Sequence, residues 1–225
     1  MGFVTSFKQP EELKNKLFLT GRVVSQQRKD LGNREIIRRR FNVTDRKWIV
    51  ISVGGGIDGE KIVERLMGIK KSLDKKISNS FLISTGPNIS PVKYNELKKK
   101  VLGRKDIVMT RFDADFLQYV NAADMSISMG GYNSINNALL TGTRTMIFPR
   151  SSDGEQKKRA QYFSEYVDVA DGSLPDEKLV DKVLYQKQIR AQKSVVELTK
   201  VAPSIEAKLL ARQCVHQSDT CVFLV

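Results

Sequence analysis

The chain has 225 residues, of which 40% are hydrophobic and 28% charged, and this composition is typical of a soluble globular domain. Its 38 basic and 25 acidic residues give a formal net charge of +13, which favours anionic partners. No apolar run approaches the roughly 20 residues of a membrane-spanning helix. The two cysteines, Cys214 and Cys221, are too few for a disulfide framework. Because the sequence has one histidine, His216, a histidine-based triad or a multi-histidine metal site within this sequence is excluded.

Apolar runs bounded by glycine or proline predict strands, and apolar residues three or four positions apart predict helices. The first half is predicted to contain an apolar run at 17–20, a helix at 34–41 capped by Asn33, a strand at 48–53, a helix from Asp58, a strand at 81–84 and a helix at 94–102. The helix from Asp58 has one apolar face, formed by Ile62, Leu66, Ile69, Leu73 and Ile77.

The second half continues the alternation of strands and helices. It is predicted to contain strands at 107–109, 125–129, 145–148 and 167–169, and helices at 115–122, 134–140, 155–165 and 175 to about 200. Such alternation predicts an α/β fold with right-handed crossovers and a doubly wound, mostly parallel, Rossmann-like sheet. We divide the chain into an N-terminal extension (1–15), one Rossmann-like domain (16–200) and a C-terminal tail (201–225).

Two glycine turns carry the chemical signal. Gly54, Gly55 and Gly56 follow one predicted strand, and Gly130-Gly131-Tyr132-Asn133-Ser134 follows another; each turn opens a helix. Glycine lets a phosphate approach the backbone closely, and a helix N-terminus offers free N–H donors. In the strand order 3-2-1-4-5-6 both turns would face the crevice at the topological switch point. The plainer interpretation is that these glycines only end strands and begin helices.

The segment 123–160 combines Ala123-Asp124, the glycine turn at 130–134, Pro149, Glu155-Gln156 and Arg159-Ala160. It resembles the C-terminal domain of glycosyltransferase family 28, the MurG-like, nucleotide-sugar-binding domain of the GT-B superfamily. Gly54–Gly56, the pair Arg111-Phe112 with Tyr119, and the opening run 17–24 extend the likeness over about residues 16–185.

The resemblance implies one C-terminal half of a GT-B fold that binds the nucleotide-sugar donor. A hexosyl group of the GlcNAc type would pass from a nucleotide diphosphate sugar, with a UDP-sugar as the expected donor, to an acceptor. The implied substrate-binding residues are Gly54, Gly55 and Gly56 beside the acceptor and diphosphate, the backbone near Phe112 at the base, Gly130, Gly131, Tyr132, Asn133 and Ser134 at the diphosphate, and Glu155 and Gln156 at the sugar hydroxyls. No metal and no cofactor is implied, and no catalytic residue is assigned.

Two departures from the family matter. Where the family usually has a glutamate that accepts hydrogen bonds from the ribose diol, this sequence has Asn137, which has one accepting oxygen and no charge and therefore predicts a weaker ribose contact. The sequence also has only the donor half. An acceptor-binding half must come from an N-terminal domain or from a separate subunit, as in the split GlcNAc-transferase of eukaryotic N-glycan synthesis.

Other interpretations stay open. A nucleotide-sugar hydrolase or epimerase of the same architecture would need acid and base groups in the crevice, and a non-catalytic nucleotide-sugar-binding subunit would fit Asn137. The basic segments 34–40, 70–76, 93–105 and 157–159 indicate a solvated surface, attraction to an anionic membrane bearing a lipid-linked acceptor, or, as the least favoured choice, nucleic-acid binding. Without a secretory signal pattern we expect a cytoplasmic protein, peripheral on the inner face of a membrane.

Overall fold

The computed structural model describes residues 26–54, 57–150 and 154–185. Their elements alternate along the chain, after a 3-10 helix at Arg28–Asp30, as α1 (Arg34–Arg40), β1 (Lys47–Ser52), α2 (Ile57–Asp74), β2 (Asn79–Ser84), α3 (Pro91–Lys100), β3 (Ile107–Thr110), α4 (Phe116–Ala122), β4 (Met125–Met129), α5 (Tyr132–Thr141), β5 (Thr145–Phe148), α6 (Gly154–Tyr162), β6 (Asp168–Val169) and α7 (Asp176–Leu184). None of the described helices is both long and apolar enough to cross a membrane.

The strands form one six-stranded parallel sheet in the order β3-β2-β1-β4-β5-β6. This confirms the predicted fold class and strand order. The order reverses between β1 and β4, which are paired so that Val50 lies opposite Ser126 and Ser52 opposite Ser128. The carboxyl ends of these two strands therefore form the switch point at which a ligand crevice is expected.

Helices cover both faces of the sheet because successive strand side chains point to opposite sides. On one face, Ile51, Ile127 and Met129 share a core with α2, α3 and α7. On the other face, Val50 packs in a cluster with α1 and α4, and Ile147 packs in a further cluster with α5 and α6. Buried strand residues on both faces explain the continuous apolar runs in the sequence.

Helix α1 is fixed to the amino end of the sheet through arginines. Its N-terminus is capped as predicted, since the Asn33 side chain accepts hydrogen bonds from the backbone N–H groups of the first turn. Arg38 donates to Asp124 (2.9 Å) and to the Ala122 carbonyl (3.2 Å), the C-terminal residue of α4. Asp124 also accepts from the Trp48 N–H (2.8 Å), so this aspartate joins α1 to the start of β1.

A buried lysine lies at the same end of the sheet. Lys70 is fully buried, and its ammonium binds Asp74 and Asp106 (2.7 Å to the latter). Arg104 binds both of these carboxylates from the solvent side. Arg159 is also buried, at 7% exposure. Three basic segments, which contain Arg38, Lys70 and Arg159, thus each place one cation in contact with the interior, so these segments are not only a solvated surface.

Several predicted boundaries were wrong for local reasons. Helix α3 begins at Pro91 rather than 94, because the Ser90 side chain caps it and proline suits the first helical position. Helix α2 ends at Asp74, so Ile77 lies beyond it. Helix α6 ends at Tyr162 rather than 165. The predictions for 1–15, 17–20, 186–200 and 201–225, with Cys214, His216 and Cys221, lie outside the described residues, as do Gly55 and Gly56.

Candidate functional site

A crevice of about 360 Å³ opens at the switch point between β1 and β4. Helices α4 and α5 form its walls, and the carboxyl ends of the two strands form its floor. The residues that line it are Ser52, Gly54, Phe116, Val120, Ser126, Ser128, Gly131, Tyr132, Asn133, Ser134 and Asn137. The structure thus brings six of the predicted site residues together, namely Gly54, Gly131, Tyr132, Asn133, Ser134 and Asn137.

Three serines form the floor of this crevice. Ser126 and Ser128 alternate with apolar residues along β4, and Ser52 lies opposite Ser128 on β1. Ser128 is 3% exposed, and within the described part of the chain its hydroxyl has no hydrogen-bond partner. A buried hydroxyl without a partner costs about 1–3 kcal/mol. Such a group is placed to bind a ligand in the crevice, and the sequence prediction missed it although the alternating Met-Ser-Ile-Ser-Met pattern signals it.

The second glycine turn forms the mouth of the crevice. Gly131 is the N-cap of α5, and its carbonyl accepts from the Ile135 N–H (3.2 Å). The N–H groups of Tyr132, Asn133 and Ser134 belong to the first turn, where a helix has no partners of its own for its donors. A Cβ on Gly131 would approach only the Ser134 hydroxyl, at 3.8 Å. A helix N-terminus that lies beside a crevice and has glycine as its N-cap is the kind of site that can bind an anion.

Gly130 has a packing role. A Cβ at this position would lie 3.3 Å from both Cβ and the carbonyl oxygen of Gln156, so the absent side chain lets α6 approach β4. Arg159 donates to the Gly130 carbonyl (3.1 Å) and pairs with Glu155, and Gln156 Oε1 accepts from the Arg150 N–H (3.2 Å). Glu155 and Gln156 are not among the residues lining the crevice, so their contact with a sugar stays a prediction.

The loop before α4 is held by an aspartate. Asp113 accepts hydrogen bonds from the Asp115 N–H (2.9 Å) and from the Tyr119 hydroxyl (2.9 Å). Burial, and then the bond to Asp113, raises the pKa of Tyr119 to about 12. Asp115 is the N-cap residue of α4, but its side chain makes no capping hydrogen bond. Tyr119 packs in the core and positions this loop.

Phe112 lies outside the crevice. Its ring is 70% exposed, and its carbonyl accepts from the Thr110 hydroxyl (3.1 Å). Two described aromatic residues line the crevice, the predicted Tyr132 and Phe116. Phe116 lies four residues after Phe112, and the sequence prediction did not single it out. A base contact through the backbone near Phe112 stays a prediction.

The first glycine turn is positioned by a close contact between helix and strand. Gly54 has a φ of +68°, a left-handed conformation that glycine adopts without steric cost. A Cβ on Gly59, in the first turns of α2, would lie 2.7 Å from the Val53 carbonyl oxygen. Only a glycine at 59 lets α2 begin this close to the end of β1.

A doubly wound parallel sheet with a crevice at its switch point defines a Rossmann-like domain, and solved GT-B glycosyltransferases share this fold over about half of their length. The Acinetobacter baumannii MurG structure superimposes with a TM-score of 0.57 at 15% identity, covering 84% of this chain and 53% of that one. WaaG, described as a glycosyltransferase involved in lipopolysaccharide biosynthesis, gives a TM-score of 0.55 at 16% identity, covering 88% and 55%.

Sequence comparison identifies the family. The model described as the glycosyltransferase family 28 C-terminal domain matches residues 50–200, and the chain belongs to this family. A protein named an uncharacterized glycosyltransferase from Methanosarcina mazei is 25% identical over 173 residues, which cover 75% of this chain and 43% of that protein. The chain thus spans less than half the length of this curated relative.

Proposed function

We propose that this chain is the donor-binding half of a GT-B glycosyltransferase, which transfers a hexosyl group of the GlcNAc type from a UDP-sugar to an acceptor. The observation that carries the proposal is the crevice at the switch point, with the N-terminus of α5 at its mouth and, on its floor, the buried Ser128 hydroxyl that has no partner among the described residues. Family membership supports glycosyl transfer as the reaction class.

The diphosphate of the donor binds at the first turn of α5. There the N–H groups of Tyr132, Asn133 and Ser134 and the positive end of the helix dipole face the crevice mouth. As the bond between sugar and phosphate breaks, negative charge grows on the departing nucleotide. Donors that are already oriented stabilise this charge without reorganisation, so the step requires no metal ion from this half.

The nucleoside lies deeper, between α4 and α5. Phe116 and Val120 supply an apolar wall, and Ser128 and Asn137 supply hydrogen-bonding groups. The transferred sugar extends from the mouth towards the first turn of α6, which carries Glu155 and Gln156.

The catalytic base and the acceptor site belong to a second half. Among the described residues that line the crevice there is no charged side chain and no histidine, so we assign binding and leaving-group stabilisation to this half. The curated relative is more than twice as long as the matched segment, which supports an acceptor-binding N-terminal half or separate subunit. The net charge of +13 supports a cytoplasmic enzyme peripheral on an anionic membrane surface.

The same absence of acid and base groups in the crevice favours a second candidate, a non-catalytic nucleotide-sugar-binding subunit, over a hydrolase or epimerase. The two surviving candidates share the donor site and differ in whether pairing with an acceptor half yields transfer. Reconstitution with the acceptor half, followed by detection of released UDP, separates them.

The donor site is tested by calorimetry with UDP, GDP, ADP and dTDP on the wild type and on Asn133→Asp. The added carboxylate lies on the first turn of α5, where its interaction with the positive end of the helix dipole is favourable but where it repels a diphosphate. We expect the wild type to bind UDP most tightly and the variant to bind it about tenfold more weakly, with no loss of thermal stability.

The matched control is Asn95→Asp, which makes the same exchange at an exposed position on α3 and should bind UDP as the wild type does. An absence of binding of every nucleotide at millimolar concentration, or equal affinities of Asn133→Asp and the wild type for UDP, would contradict the proposal.

A further inference from the structure

A larger cavity of about 730 Å³ lies at the carboxyl edge of the sheet, beside the ends of β4 and β5 and separate from the crevice. Alternation along β4 separates the two spaces: Ser128 lines the crevice, whereas Met129 lines the cavity. The cavity is bounded by α2, the carboxyl ends of β4 and β5, α6 and the loop after β6, and it shares no lining residue with the crevice. Its volume lies within the range of about 300–1,000 Å³ found for small-molecule sites.

Cations from three separate segments converge on this cavity. Lys61 and Arg65 come from α2, Arg150 follows β5, and Lys157 comes from α6, whereas one carboxylate, Asp171, lines it. In the part of the chain that the structure describes, Lys61 and Lys157 make no hydrogen bond or ion pair. The described lining residues thus carry a net charge of +3 (four cations and one carboxylate), and two of their ammonium groups are available to a ligand.

Two of the charged groups are part of the wall. Arg65 donates to Asp176 (3.0 Å) and to the Gly172 carbonyl (2.9 Å), which fixes the loop after β6 against α2. Asp171 accepts from the Ser173 N–H (3.0 Å) within that loop. The pKa of Asp171 is lowered first by its bonds to Ser173 and then by the charges of Lys157 and Arg65. The rim is therefore a hydrogen-bonded loop in an electropositive environment.

The base of the cavity is apolar. Met129 and Phe148, both buried, and the half-buried Ile62 line it beneath the cations. A fully hydrated inorganic ion would leave this surface unused. The combination of an apolar base and a cationic rim suits a molecule that has an anionic group attached to an apolar or aromatic body.

We infer that this cavity binds an organic phosphate, with its phosphate between Lys61 and Lys157 and its apolar part against Met129 and Phe148. This site is separate from the donor crevice, and the inference does not rest on the proposed function. The same phosphate chemistry is present on a soluble metabolite and on a lipid headgroup, and the experiment below distinguishes the two sources.

The test uses phenyl phosphate in calorimetric titrations of the wild type, Lys61→Glu and Lys157→Glu. We expect saturable binding with a Kd of about 1 mM or tighter for a ligand of this size. Each charge reversal should weaken this binding by about tenfold. The controls Lys71→Glu, on the same helix as Lys61, and Lys178→Glu, on α7, reverse exposed lysines outside the cavity and should bind within about twofold of the wild type.

Titration of UDP on the same variants separates this inference from the proposed function, because affinity for UDP should not change in any of them. A second arm measures sedimentation with phosphatidylcholine vesicles containing phosphatidic acid. If Lys61→Glu and Lys157→Glu lose vesicle binding and the two controls keep it, the phosphate belongs to a lipid; if phenyl phosphate binds and vesicles do not, the ligand is soluble. Absence of saturable phenyl phosphate binding, equal loss in the control variants, or displacement of phenyl phosphate by UDP would overturn the inference.

Discussion

Replacing Gly59 by alanine tests whether the close approach of α2 to β1 positions the first glycine turn. The added Cβ would lie 2.7 Å from the Val53 carbonyl oxygen and 2.9 Å from Val53 Cβ. Neither atom can move away by a change of rotamer, so restoring an ordinary contact of about 3.4 Å requires a shift of α2 by about 0.7 Å. Overpacking of this kind costs about 1–3 kcal/mol, and the rigid partners place it near the upper end.

Alanine also stabilises a helix relative to glycine by about 1 kcal/mol. We therefore expect Gly59→Ala to lower the free energy of unfolding by about 2 kcal/mol, measured by urea denaturation. Gly68→Ala is the matched control, because it lies on the same helix with no atom within 4 Å of the added Cβ. It should raise the free energy of unfolding by about 0.5–1 kcal/mol.

Opposite signs for one substitution on one helix would isolate the contact with Val53 from helix propensity. If Gly59→Ala is as stable as Gly68→Ala, the close approach of α2 to β1 is not a constraint and the reasoning fails. UDP affinity gives a second readout, since a shifted α2 would also move Gly54 at the crevice.

Three further predictions concern buried polar groups. Lys70→Met should lower the free energy of unfolding, measured in urea, by about 2–3 kcal/mol. This is somewhat less than for a fully buried pair, because its partners Asp74 and Asp106 are partly exposed and keep their ion pairs with Arg104. The control Lys71→Met, at an exposed position, should change the free energy of unfolding by less than about 0.5 kcal/mol. Hydrogen bonds from Arg104 and then Lys70 hold the pKa of Asp106 well below its usual range. The stability that this ionised carboxylate provides is present above its unfolded pKa of about 3.9 and is lost as the pH falls towards the lower folded value. Between about pH 5 and about pH 2, the urea midpoint should therefore fall more steeply for the wild type than for Asp106→Asn. Equal slopes would contradict this prediction. Ser128→Ala should leave thermal stability unchanged or slightly higher, because it removes an unpartnered hydroxyl, while it weakens UDP binding by about threefold to tenfold in calorimetry; an unchanged Kd would mean that this hydroxyl does not face the nucleotide.

The sequence predicts the strand order and the place of the crevice because both follow from local patterns. Strands that alternate with helices restrict the sheet to few topologies, and glycine turns at strand ends indicate where the chain reverses beside a ligand. Within the turn at 130–134, however, Gly131 lines the crevice and Gly130 packs against Gln156. Two adjacent glycines have identical local signals, and only the position of α6 decides which one meets a ligand and which one meets a helix.

Side chains that act over long sequence separations were the least predictable. Arg38 stands in a basic run that looks solvated, yet it binds Asp124, 86 residues away. Lys70 begins another such run and binds Asp106, 36 residues away. A run of like charges carries no information about which member turns inward, because the partner carboxylate is brought near only when the sheet forms.

Strand β4 connects these observations to function. Its sequence Met-Ser-Ile-Ser-Met places hydroxyls on one face and apolar side chains on the other. The hydroxyl face forms the floor of the crevice, whose described lining residues are uncharged and where we propose that main-chain N–H groups at a helix end bind a diphosphate. The apolar face ends at Met129 in a cavity whose charges come from lysine and arginine side chains. If both proposals hold, one short strand separates two kinds of anion recognition, one by oriented backbone dipoles and one by side-chain cations. Charge reversals in the cavity and an added charge at α5 should then act independently.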